Sequence, residues 1–150
     1  MQRRTYRRFP AVLGMAIFLG LNAFPFAAHF QVRVRPAKLD LSRVRMSENG
    51  LFKVAMTPET DPIPLRRLHS WRIHLDDAGG RPVAAASITV DGGMPEHGHG
   101  LPTEPYVTKN LGGGDYLVEG LKFQMKGWWE VQFTISTSEN TDEVVFNLIL

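Results

Sequence analysis

The chain has 150 residues, of which 43% are hydrophobic and 21% are charged, so it suits one ordinary globular domain and is too short for a two-domain enzyme. It contains no cysteine, which excludes disulfide scaffolds, cysteine-ligated zinc sites, iron–sulfur clusters and thiolate catalysis. Residues 1–45 carry nine Lys/Arg and one acidic residue, whereas residues 46–150 carry eight Lys/Arg against fourteen Asp/Glu, a net charge of −6. Because the body is acidic, we expect no nucleic-acid partner.

A basic and then apolar segment opens the chain. Residues 1–8 contain four arginines and no acidic residue, and residues 9–28 contain no charge. Arginines stay on the cytoplasmic side while an apolar stretch enters the bilayer. We therefore expect residues 1–30 to form a hydrophobic signal or anchor helix that delivers the body to the periplasmic side of the inner membrane.

The sequence leaves open whether this segment is retained or cleaved. An apolar stretch of roughly 20 residues is long enough to span a hydrocarbon core of about 30 Å, which favours an N-terminal membrane anchor. Signal peptidase requires small residues at the first and third positions before the cut, and the best candidate site puts Phe26 at the third. Cleavage after Ala28 would instead secrete the protein into the periplasm with His29 at its N-terminus, where the amine and the imidazole could bind copper together.

The rest of the chain divides into a tether and a body. Residues 31–48 are basic and predict a juxtamembrane tether, with room at its end for the start of the first strand. Residues 49–150 show short apolar alternations separated by Gly, Pro, Asn and Asp clusters, which are typical of antiparallel strands. Six or seven such strands in about 100 residues predict an all-β domain, an immunoglobulin-like antiparallel β-sandwich.

Two segments show the clearest alternation of apolar and polar residues. Residues 68–75 place Trp71 toward the core with His69 beside it as a packed residue, and place His74 on the exposed face. Residues 128–136 predict a half-buried strand, with these side chains inward: Trp129, Val131, Phe133 and Ile135.

Two glycine-containing segments predict connections. Residues 84–90 predict a strand that ends at the turn formed by residues 91–93. Residues 111–116 resemble a tyrosine corner of β-sandwiches, in which the hydroxyl of Tyr116 would hold a crossing loop.

The candidate metal ligands lie mainly in residues 94–103. We predict that this segment is a long loop, because its two glycines and two prolines are unfavourable in a strand. His97 and His99 are separated by one glycine, and glycine permits the tight backbone that would turn both imidazoles toward a common point. Imidazole is a good ligand for Cu, Zn and Ni, whereas the thioether of Met94 is soft and favours Cu(I). The predicted ligands for copper are therefore His97, His99 and Met94.

Met125 is the fourth candidate ligand, and it has two interpretations. Residues 121, 123 and 125 share one face of a predicted strand, so Met125 could fill a gap in the core. Lys126 and Gly127 mark the end of that strand, where the side chain could instead border the histidine loop.

No catalytic constellation is present. The sequence has no G-x-S-x-G, no H-E-x-x-H and no phosphate-binding glycine loop, so we expect a protein that is not an enzyme.

Over residues 50–136 the chain resembles the YtkA-like domain, a relative of the FixH family. The specific element is Met94-Pro95-x-His97-x-His99-Gly100, and weaker matches are Trp71, residues 80–83, Ala86, Pro105, Gly114-x-Tyr116 and Phe123-x-Met125-x-Gly127-x-Trp129. The resemblance implies a small exported or membrane-anchored β-sandwich associated with copper handling. For FixH-like members it implies an accessory role in assembling a haem–copper oxidase alongside a cation pump.

Two functions follow as expectations. The first is a non-catalytic copper-binding module that carries or buffers copper for a copper-accepting protein. The second is a metal-free accessory protein that presents its surface to a membrane protein complex, such as an oxidase or a cation pump under assembly.

Overall fold

A computed structural model describes residues 32–150, which form an all-β structure without a helix. The predicted helix over residues 1–30 lies outside the described residues, and the part of the chain from residue 32 onward offers no helix that could cross a membrane. The nine strands are β1 (Val44–Met46), β2 (Phe52–Pro58), β3 (His69–Asp77), β4 (Ser87–Met94), β5 (His99–Gly100), β6 (Tyr106–Gly112), β7 (Asp115–Leu121), β8 (Trp128–Ser136) and β9 (Thr141–Ile149). β1 lies within the segment predicted to be a tether.

The strands pair in the order β1-β2-β3-β7-β6-β4-β8-β9, with β5 on the side of β4, and each pair of neighbours is antiparallel. One residue pair, Thr89 with Tyr106, joins β4 to β6, so the sheet consists of two groups, β1-β2-β3-β7-β6 and β4-β8-β9. The two end strands approach each other, because the Glu48 amide donates to the Glu143 carbonyl over 2.8 Å. The result is a nearly closed antiparallel sheet.

The core is built from the alternation that the sequence displays. All four residues predicted to point inward from β8 are completely buried, while the intervening polar residues are partly exposed. Trp71 is completely buried in β3, and the buried His69 packs beside it with ring centroids 6.2 Å apart. Burial of large apolar side chains on one face of each strand is the main stabilising contribution in a chain without disulfides.

Tyr116 forms the corner that the sequence predicts. Its hydroxyl donates to the Val83 carbonyl over 2.7 Å and accepts from the Ala86 amide over 3.0 Å, so it holds the connection between β3 and β4. Burial raises the pKa of the phenol, which keeps the hydroxyl neutral and able to donate.

Replacing Tyr116 by phenylalanine should lower the free energy of unfolding by about 1–3 kcal/mol, because the ring is kept while two partly buried backbone groups lose their partner. Urea denaturation followed by circular dichroism measures the change. Tyr106→Phe is the matched control, since that side chain is 63% exposed and should tolerate loss of its hydroxyl. Equal stability of both variants would contradict the role of the Tyr116 hydroxyl.

The prediction of a strand over residues 84–90 ending in a turn was wrong at both ends. β4 begins at Ser87 and continues through Gly92 and Gly93 to Met94. A side chain at Gly92 would place its Cβ 2.7 Å from the Glu130 carbonyl oxygen, so glycine at this position permits close approach within the sheet. Met94 is therefore a strand residue rather than a loop residue.

Candidate metal centre

Residues 94–100 form a tight hairpin where the sequence predicts a long loop. Met94 pairs with His99 across β4 and β5, and residues 95–98 make the turn. The Met94 carbonyl accepts from the amides of His97 and Gly98 at 3.0 and 2.9 Å. Gly98 has φ of 66°, a left-handed conformation that glycine adopts without strain. This turn therefore fixes the direction in which both histidines leave the backbone.

The hairpin brings the two imidazoles together. Both side chains are exposed, their ring centroids lie 5.6 Å apart, and the ring planes differ by 20°. The two stacked imidazoles therefore lie side by side on the surface, where both are accessible from solvent.

Met94 lies beneath the histidines in the core. Its side chain is completely buried, which corrects its predicted place in a flexible loop. Residues directly opposite each other in an antiparallel pair share one face, so the side chains of Met94 and His99 leave the hairpin on the same side. The Met94 methyl packs on Gly127, where an added Cβ would come within 2.8 Å of it. The thioether is thus buried on the side of the hairpin from which the His99 side chain leaves.

Met125 is not the core residue that one interpretation proposed. β7 ends at Leu121, and the side chain of Met125 is 40% exposed in the loop that follows. The Met125 carbonyl accepts from the indole nitrogen of Trp129 over 3.0 Å. The Trp129 ring in turn meets the His99 ring edge-on, with centroids 6.4 Å apart. Met125 and His99 are therefore both neighbours of one buried tryptophan.

Arg33 joins the N-terminal segment to the hairpin. Its amide donates to the Pro95 carbonyl over 2.8 Å, and its guanidinium pairs with Glu130 and lies 5.5 Å from the centre of the Trp128 ring. Sequence reasoning missed Arg33 and Trp129 as neighbours of the site. Both contacts join distant parts of the chain, and no local pattern indicates them.

Within residues 32–150, no three His, Cys, Asp or Glu side chains lie close enough together to hold a metal ion. The hairpin contributes two imidazoles, and neutral imidazole is a good ligand for copper, zinc and nickel.

His74 lies away from this site. Its Nδ1 is 2.7 Å from Asp115 Oδ1 and its Nε2 is 3.2 Å from Asp76 Oδ1, so it is paired rather than simply exposed as predicted. The hydrogen bond with Asp115 outweighs partial burial and raises the pKa of His74. His74 is thus a half-buried, carboxylate-paired histidine outside the hairpin and suits a control variant for copper binding.

The comparisons with known proteins identify a family. The model of the YtkA-like family matches residues 52–134, more than half of the chain. Comparison with curated proteins finds no significant match. A solved structure described as the ZirS C-terminal Domain is similar at 12% identity, with coverage of 100% of this chain and 87% of that one and a TM-score of 0.38.

Proposed function

The chain belongs to the YtkA-like family, as its sequence predicts, and from that premise we propose that it is a non-catalytic copper-binding protein held at the periplasmic side of the inner membrane. Copper is its cargo, carried or buffered for a copper-accepting protein. The observation that carries the proposal is the stacked pair of exposed imidazoles, His97 and His99, 5.6 Å apart at the tip of a fixed hairpin.

The proposed ligands are His97 and His99, with Met94 and Met125 as thioether donors. The imidazoles are accessible to an incoming ion, whereas Met94 leaves the hairpin on the same side as His99 and is completely buried. Imidazole nitrogen binds either oxidation state of copper, and thioether sulfur favours Cu(I). A site with two exposed nitrogen donors gives up its ion readily, as a carrier requires.

We also propose that the two strand groups face each other as an immunoglobulin-like sandwich. In support, Trp71 of β3 meets Phe133 of β8 with ring centroids 6.5 Å apart, a contact between the two groups. Such a scaffold holds the ends of β4 and β8 rigidly, which keeps the hairpin in place for the ion.

The test is a competition titration of the full-length protein in detergent with a coloured Cu(I) chelator. The wild-type protein should bind about one Cu(I), and the double variant His97→Ala with His99→Ala should bind none, because both nitrogen donors are gone. His74→Ala is the matched control and should bind like the wild type. Circular dichroism should be equal for the wild type and the double variant, since the hairpin imidazoles are exposed.

Two conservative variants separate the roles of the sulfur atoms. Met94→Leu and Met125→Leu keep apolar volume and remove the thioether. Each should weaken Cu(I) binding with little effect on Cu(II), because sulfur contributes mainly to the lower oxidation state. Unchanged copper stoichiometry in the double histidine variant would overturn the proposal and favour the metal-free accessory role.

A further inference from the structure

The body has two ends with different properties. β8 runs from Trp128 beside the hairpin to Ser136 at the opposite end, and its nine residues separate the two ends by about 30 Å. We call the first the hairpin end, defined by the turn at residues 95–98 and the loops at residues 59–68 and 122–127. These loops adjoin each other, because Leu65 pairs with Phe123, and the Phe123 and Trp129 rings lie 5.1 Å apart.

The N-terminal segment reaches the body at the hairpin end. Arg33 is bound there through the Pro95 carbonyl, Glu130 and the Trp128 ring. Ala28, the last residue of the apolar segment, precedes Arg33 by five residues. Because an extended chain spans at most ~3.6 Å per residue, Arg33 lies within roughly 18 Å of Ala28. If residues 9–28 anchor the protein, the hairpin end is the end nearest the membrane.

The charges of the two ends differ in sign. The hairpin end carries Arg66, Arg67, Lys122 and Lys126, and among residues 32–150 no carboxylate forms an ion pair with any of them. Two acids of this end, Glu59 and Asp61, are paired with arginines, and Glu96 is exposed on the turn. The opposite end carries Asp76, Asp77, Asp115, Glu139 and Asp142.

Apolar side chains are exposed among the basic ones. Leu68 follows Arg67 and is 67% exposed, and Met125 precedes Lys126 and is 40% exposed. Basic residues next to exposed apolar side chains are typical of surfaces that bind anionic lipid headgroups.

We propose that the hairpin end lies against the anionic outer surface of the membrane in which the protein is anchored. The short connection to the apolar segment, the unpaired basic residues and the exposed Leu68 all favour this orientation. The inference rests on the proposed function for the anchor and for the role of the histidines. Its consequence is that His97 and His99 face a copper-exchange partner embedded in the same bilayer rather than a carrier diffusing above it.

The test places a fluorescent label at each end of the full-length protein. Because the chain has no cysteine, Leu68→Cys and Glu139→Cys each provide one labelling position, at the hairpin end and at the opposite end. The proteins are reconstituted in phosphatidylcholine vesicles containing phosphatidylglycerol and a lipid with a nitroxide on its headgroup. The label at position 68 should be quenched strongly and the label at position 139 weakly. Equal quenching, stronger quenching at 139, or failure of the protein to join the vesicles would overturn the proposal.

Charge reversal tests the contribution of the headgroups. Arg67→Glu with Lys126→Glu should reduce quenching at position 68, as should vesicles of phosphatidylcholine without phosphatidylglycerol. Lys53→Glu with Lys109→Glu is the matched control, because it changes the net charge equally at exposed positions outside the hairpin end. Reduction by the control pair alone, or by neither pair, would contradict contact between the hairpin end and anionic lipid.

Neither measurement uses copper, so the two proposals can fail separately. Loss of the quenching difference would remove the membrane orientation and leave the copper titration intact. A double histidine variant that still binds copper would remove the proposed function and leave the orientation of the body unchanged.

Discussion

Replacing Asp142 by alanine should lower the free energy of unfolding by about 3 kcal/mol, because several donors of the neighbouring loop lose a buried, charged acceptor at once. The carboxylate is 98% buried and accepts from the Asn49 amide, the Asn49 side chain and the Leu51 amide at 2.8–3.3 Å. These bonds tie the loop between β1 and β2 to the start of β9, where the two ends of the sheet meet. Glu139→Ala is the control, since that exposed carboxylate lies in the neighbouring loop and should change stability little.

The free energy of unfolding should also depend on pH through Asp142. Burial alone would raise the pKa of Asp142, but the hydrogen bonds from Ser47, Asn49 and the Glu143 amide outweigh it and lower the pKa from 3.8 to about 2. A lowered pKa in the folded state means that the stabilisation is present above pH 4 and is lost as the pH falls toward 2. Urea denaturation at several acidic pH values should show this loss in the wild type and a smaller one in Asp142→Asn. Parallel curves for the two proteins would contradict the assignment to Asp142.

Replacing Trp129 by alanine should cost roughly 3–5 kcal/mol of stability, because it removes the largest side chain beneath the hairpin and leaves a cavity. The ring is completely buried and packs on Phe123, with centroids 5.1 Å apart. Tyr106→Ala removes an aromatic ring that is 63% exposed and should cost much less. Urea denaturation followed by the fluorescence of the other two tryptophans measures both variants.

The variant Trp129→Phe distinguishes the structural role of Trp129 from its role at the proposed copper site. It keeps an aromatic ring beside His99 but removes the indole N–H that binds the Met125 carbonyl, at a cost of about 1 kcal/mol. We expect this variant to fold and to bind Cu(I) more weakly, because the loop that carries Met125 is less firmly held. Wild-type affinity in Trp129→Phe would mean that Met125 contributes nothing to binding.

The alternation of apolar residues was sufficient to predict the interior of the strands. It placed Trp71 and the inward residues of β8 correctly, because a buried face at every second position is the one local pattern that a sheet requires. The Tyr116 corner was also predicted from sequence and confirmed by its two hydrogen bonds.

The errors in the predicted strands arose at glycines, because a glycine can mark a turn or can allow close approach of another backbone within a strand. Gly92 and Gly93 predicted a turn, but in β4 the absence of a side chain at Gly92 allows the Glu130 carbonyl and Leu101 to come close. Because of that error, the predicted strand was too short, and Met94 was predicted to lie in a loop rather than in the core. The contacts of Arg33 with Pro95 and Glu130, and of Asp142 with Asn49, could not be predicted, since the partners lie 62 to 97 residues apart in the sequence.

Among residues 32–150, the single residue pair between β4 and β6 leaves most of one edge of β6 without a strand partner. Such an edge invites pairing with another copy of the chain. β6 departs from regular register at two places, between Val107 and Lys109 and between Asn110 and Gly112. Bulges bend and twist a strand, and an exposed lysine disfavours an approaching strand. The irregularity of β6 therefore protects the protein against edge-to-edge aggregation.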